Sequence, residues 1–116
     1  MEHTMKLYAE NFDALKSGEK IREYRLNDEK RQLVKVGDTI RFIRLPDMDE
    51  ECVVEVIDKE TFDNWHDCYS KYYDEDFKDL YDSVEAVIQD TYDGGYYTKE
   101  ESDKYGVALF TIKKRM

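Results

Sequence analysis

The stretch Gly18-Glu19-Lys20-Ile21-Arg22-Glu23-Tyr24-Arg25 constrains this chain more than any other, because an apolar stripe ends at it and a strand loaded with charge begins. Upstream, Phe12 and Leu15 make the stripe, Asn11 suits an N-cap, Lys16 the last turn and Gly18 the position after it. Together they predict a helix over about 10–17. In the strand that follows, over about 20–26, side chains alternate faces, so Ile21, Glu23 and Arg25 share one and Lys20, Arg22 and Tyr24 the other. Glycine at the junction lets the chain turn sharply and swing Lys20 toward Glu23 and Arg25. A solvated ion pair on a strand is worth only about 0–1 kcal/mol. Charge concentrated at a sharp junction is better explained by a site.

The remaining elements read as the rest of a small α+β barrel. Residues 5–8 suit a first short strand, and Asn27-Asp28 a turn opening one helical turn through Arg31. Residues 39–45 form a β-type run with Ile40 and Phe42 on one face, closed by Pro46. Residues 52–57 alternate again and predict an antiparallel neighbour. From 60 to 97 the chain turns acidic and aromatic, with a helix expected from Asp82, Glu85 three residues on and Gly94 at its end. Thr98-Lys99-Glu100-Glu101 is a capping-box pattern for a brief helix stopped by Gly106, and 107–113 is the last strand. With 116 residues and no second core, the expectation is a single domain over 1–116, with 60–104 an acidic helical insertion or lid.

The pattern Gly18-x-Lys20-x-x-Glu23-x-Arg25 resembles the signature of the ASCH family, small domains of the PUA-like superfamily. Its setting resembles the family as well: Met5-Lys6-Leu7, the following Leu26-Asn27-Asp28-Glu29-Lys30-Arg31, then Val36-Gly37-Asp38-Thr39-Ile40-Arg41-Phe42, and Tyr105-Gly106-Val107 before the last strand. The resemblance implies a PUA-like β-barrel with a short N-terminal helix, and an RNA-related ligand. One ASCH subgroup hydrolyses the amide of N4-acetylcytidine with a lysine at the Lys20 position, a threonine three residues later and a remote glutamate. Here Glu23 stands where that threonine would be. Another small ASCH protein is a ribonuclease, which adds phosphodiester cleavage to what the resemblance implies.

Charge divides along the chain. Residues 1–46 carry 10 Lys and Arg against 8 Asp and Glu, residues 47–103 carry 4 against 20, and residues 104–116 carry 4 against none. A protein of net charge −10 lacks the long-range attraction that drives nonspecific binding to polyanions, so RNA or a nucleotide must be met in a local basic cleft. Lys20, Arg22, Arg25, Lys30, Arg31, Lys35, Arg41 and Arg44 are its candidates, with Lys113, Lys114 and Arg115. Most of these are expected to be solvated surface charge.

The ligand-binding candidates are Lys20, Glu23, Arg25, Tyr24 and Tyr97. Arginine offers a donor fork that matches phosphate, glutamate can orient it or accept from a base edge or sugar hydroxyl, and lysine supplies a point charge. Tyr24, Tyr96, Tyr97 and Trp65 are considered as stacking platforms, with Tyr24 and Tyr97 preferred. If the protein is an enzyme, a small hydrolase, Lys20 and Glu23 are its catalytic candidates. A third reading is a protein-interaction module that docks its acidic segment on a basic partner. Cys52 and Cys68 are expected as free thiols in the cytoplasm, and His66-x-Cys68 matches no common zinc spacing, so neither metal nor cofactor is expected. No run approaches a membrane span. The sequence leaves the oligomeric state open.

Overall fold

The computed structural model describes residues 1–95 and 97–115. Strands β1 (Glu2–Tyr8), β2 (Arg22–Leu26), β3 (Thr39–Leu45), β4 (Glu51–Phe62) and β5 (Val107–Lys114) form one sheet in the order β1-β3-β4-β5-β2. β1 is parallel to β3, with Glu2 opposite Thr39 and Tyr8 opposite Leu45, whereas β3 and β4 are antiparallel with Phe42 opposite Cys52. A parallel pair needs a long crossover, and the chain between β1 and β3 supplies it. The fold is the expected α+β, PUA-like class with a mixed sheet.

The chain divides into two compact units: Met1–Tyr24 with Leu33–Glu60 and Leu109–Met116, and Arg25–Gln32 with Thr61–Ala108. In the first, helix α1 (Ala9–Ser17) lies against β1 and β3 and turns Phe12 and Leu15 inward. The core there is Met5, Phe12, Leu15, Ile40, Phe42, Val54, Val56, Leu109, Phe110 and Ile112, all at most 5 % exposed. Alternation accounts for it: β1 reads exposed-buried throughout, so Met5 and Leu7 face in while Thr4 and Lys6 face out. Two polar groups join this core. His3 Nε2 donates to Asp38 Oδ2 at 2.9 Å, since a carboxylate can only accept, and Glu23 is 4 % exposed.

The second unit holds α2 (Glu29–Gln32), α3 (Trp65–Lys71), a π-helical turn (Tyr73–Phe77), α4 (Val84–Asp93) and α5 (Lys99–Tyr105). Each longer helix opens on a side-chain cap: Asn64 accepts from Asp67 N–H, Ser83 from Ala86 N–H, and Thr98 with Glu101 forms the expected capping box. Its core is aromatic. Trp65 stacks on Tyr69 at 5.3 Å, Tyr69 meets Phe77 edge-on at 5.1 Å, and Trp65 Nε1 donates to Ser102 Oγ at 2.8 Å. Burial pushes the Tyr69 phenol well above its ordinary range, and its hydroxyl lies 2.7 Å from Thr91 Oγ1.

Several boundaries differ from expectation. α1 starts at Ala9 after Tyr8, which makes no side-chain cap, so Asn11 lies inside the helix. β2 begins at Arg22, leaving Lys20 and Ile21 in the turn before it. β4 runs on to Phe62, well past residue 57, and Ser83 rather than Asp82 caps α4.

Candidate functional site

The site is built by the way α1 stops. Gly18 adopts φ +89°, a left-handed conformation that costs other residues about 1–2 kcal/mol, and its N–H returns to Leu15 O at 3.2 Å. Two residues on, Lys20 N–H donates to Ala14 O at 3.0 Å, which ties the turn back onto the helix. This closes the helix end and aims the chain into β2.

The turn brings Lys20 to Glu23, as the glycine junction suggested. Lys20 Nζ is 3.5 Å from Glu23 Oε1, with the lysine side chain 20 % and the glutamate side chain 5 % exposed. The same ammonium lies 5.7 Å from the centre of the Tyr24 ring, within cation–π range. A carboxylate this well buried is costly without a cation and hydrogen bonds, and the Lys20 ammonium is one such partner. Ile21 does not share the burial of Glu23: it is 44 % exposed.

Beside this cluster is an open pocket of about 410 Å³ within the same unit. Its walls are Leu15, Ile21, Val54 and Ile112, with Gly18 at the turn and Lys20, Lys113 and Lys114 as its charged side chains. Lys114 Nζ also donates to Lys16 O at 3.1 Å, where a cation satisfies a carbonyl at the end of α1. Lys113 and Lys114 were candidates for the basic cleft. The aliphatic walls carry no chemical motif that would single them out in the sequence.

Other expected cleft residues are engaged elsewhere. Arg41 is held by Glu2 at 3.1 Å and Glu51 at 2.6 Å, Arg44 by Asp13 at 3.2 Å, and Arg31 by Asp28 at 3.3 Å. The carboxylates raise the pKa of Arg41 and Arg44, Glu51 contributing most for the first and Asp13 for the second. Arg25 and Tyr97 belong to the second unit. Arg25 is half-buried, and Tyr97 stacks on Trp65 at 5.4 Å, so one of its faces is occupied by the aromatic core. Tyr96 lies outside the described residues.

One lysine was not anticipated. Lys59, on β4, donates to Val34 O at 2.9 Å and lies 5.7 Å from the Phe110 ring centre, and burial lowers its pKa. In sequence it is one charge in Asp58-Lys59-Glu60, with nothing to mark it. Among the described residues no group of three or more His, Cys, Asp and Glu is placed to hold a metal ion, and no helix is long and apolar enough to cross a membrane. Cys52 and Cys68 are both buried thiols outside any disulfide.

The second unit carries the negative charge: 7 Lys and Arg stand against 15 Asp and Glu there, and 11 against 13 in the first unit. The unit with the Lys20 cluster is therefore close to neutral.

Comparison with known proteins agrees with this architecture. The crystal structure of hypothetical protein PH0355 superposes with a TM-score of 0.82 at 29 % identity, over 99 % of this chain and all (100 %) of that one. The solution structure of protein PF0455 from Pyrococcus furiosus gives a TM-score of 0.73 at 31 % identity, over 98 % of this chain and 97 % of that one. No match was found among curated proteins. The family model of the ASCH domain matches residues 5–115, nearly the whole length, and the chain belongs to the ASCH domain family.

Proposed function

We propose that the protein is an RNA-binding ASCH domain whose site, centred on Lys20 and Glu23 with Tyr24, takes a short RNA element, a nucleotide or a modified nucleoside. The observation that carries the reading is the Lys20–Glu23 contact of 3.5 Å at the Gly18 turn, beside an otherwise buried carboxylate. Family membership supports the ligand class. On this reading Lys20 meets a phosphate or carbonyl oxygen, Glu23 accepts from a sugar hydroxyl or base edge, and Tyr24 presents a ring. The protein then acts in the cytoplasm, where Cys52 and Cys68 stay reduced.

A second reading, a small hydrolase, is favoured by the same contact, since an amine and a buried carboxylate within reach of one another are a means of moving a proton. An amide NMR titration with short RNAs, common nucleotides and N4-acetylcytidine, with product signals followed in the same tube, tests both. Saturable shifts at Lys20, Glu23 and Tyr24 without turnover support binding. Product that disappears in Lys20→Ala supports hydrolysis, and silence across the panel defeats both.

A further inference from the structure

We infer that the pocket between the end of α1 and strands β4 and β5 binds a small amphiphilic anion, an aliphatic body carrying one carboxylate or phosphate. Its walls are the aliphatic side chains of Leu15, Ile21, Val54 and Ile112, and every charged side chain that lines it is a lysine. No aromatic, amide, hydroxyl or carboxylate side chain is among the lining residues, so the pocket has no ring to stack a base on and no side chain that accepts a hydrogen bond from a base edge. Leu15, Val54 and Ile112 are at most 4 % exposed, so the apolar surface it offers is chiefly that of Ile21, beside the positive charge of the lysines. A ligand with an apolar body displaces water from the walls while its anion meets the ammonium groups. At about 410 Å³ the pocket is of small-molecule size, and Ile21, 44 % exposed, is a large apolar side chain that such a ligand would cover.

The three lysines are not equally committed. Lys114 Nζ donates to Lys16 O, and Lys20 Nζ is near Glu23 Oε1. Lys113 is exposed and makes no ion pair among the described residues, which makes it the principal partner of the anion. The inference does not depend on RNA binding, although Lys20 belongs to both sites.

The test is an amide NMR titration of the full chain with octanoate and octyl phosphate, against octanol, acetate and inorganic phosphate. Saturable shifts at Ile21, Val54, Ile112 and Lys113 are expected for the amphiphilic anions, with a Kd on the order of 1 mM. The tighter of the two identifies the headgroup. Octanol, acetate and phosphate should each bind far more weakly, because each lacks one half of the recognition. Lys113→Ala should weaken binding about threefold and Lys113→Arg restore it. Ile21→Ser, at another exposed position, should weaken it as well. Octanol binding as tightly as octanoate, shifts centred elsewhere, no shifts at all, or affinity unchanged in both Lys113→Ala and Ile21→Ser would overturn the proposal. RNA binding is read separately at Glu23 and Tyr24, so either site can fail alone.

Discussion

Lys20 Nζ lies 3.5 Å from Glu23 Oε1, and the contact exists because Gly18, two residues before the lysine, adopts φ +89°. Strict strand alternation would put these two side chains on opposite faces. The turn removes Lys20 from the strand and returns it to the glutamate. Gly18, Lys20 and Glu23 thus make one piece of geometry: the glycine supplies the turn, the lysine the charge and the glutamate the buried carboxylate.

Two glycines with positive φ should respond very differently to alanine. At Gly106, φ +71°, an added Cβ would sit 2.6 Å from the backbone oxygen of Phe62, whereas at Gly18 it would meet nothing within 4 Å. Gly18→Ala should therefore cost about 1 kcal/mol of conformational strain. Gly106→Ala should cost about 3 kcal/mol or more, since backbone must move. Urea unfolding of the two variants checks this, and equal losses would contradict it.

In the second unit, Ser102→Ala should cost about 1–3 kcal/mol, because it leaves the Trp65 indole N–H buried without its acceptor. Trp65→Phe loses that donor along with packing. The double variant should be less destabilised than the sum of the singles, as the orphaned donor is then gone. Strict additivity in chemical unfolding would show the bond to be immaterial.

Acid should weaken the first unit through Asp38. The His3 ring N–H, and after it the Lys35 backbone N–H, hold this carboxyl well below the usual carboxylate range. Its unfolded value is near 3.9, so on acidification the unfolded chain takes up the proton first. The stabilisation is present above about pH 4 and is lost as pH falls toward the folded value. Asp38→Asn should be less stable at pH 7 and show a flatter acid limb in denaturant titrations run from neutral to low pH. An unchanged acid limb would remove Asp38 from the account.

The features legible in the sequence are those set by local chemistry. The glycine stop of α1, the Thr98–Glu101 capping box, the span of β3 and the last strand all rest on residues whose preferred conformations need no distant partner. Where distant contacts decide, the sequence is mute. β4 extends through Asp58-Lys59-Glu60 although that stretch has no apolar alternation, and the π-helical turn at Tyr73–Phe77 lies in a run of acids and rings with no cap or breaker to mark it. The site divides in the same way. The Lys20–Glu23 contact follows from one glycine, while the pocket walls come from three elements far apart in sequence, and the burial of Lys59 depends on Val34 and Phe110.

The salt dependence of RNA affinity in wild type and Lys20→Ala tests most directly whether Lys20 meets a phosphate. Lys20 is partly exposed and Glu23 retains its place on β2, so circular dichroism should report a folded variant. If Lys20 contacts a phosphate, its removal should weaken binding and reduce the slope of log K against log salt by about 1. An unchanged slope and affinity would mean that RNA, if bound, is held elsewhere, and that the Lys20–Glu23 pair serves only to complete the turn after α1.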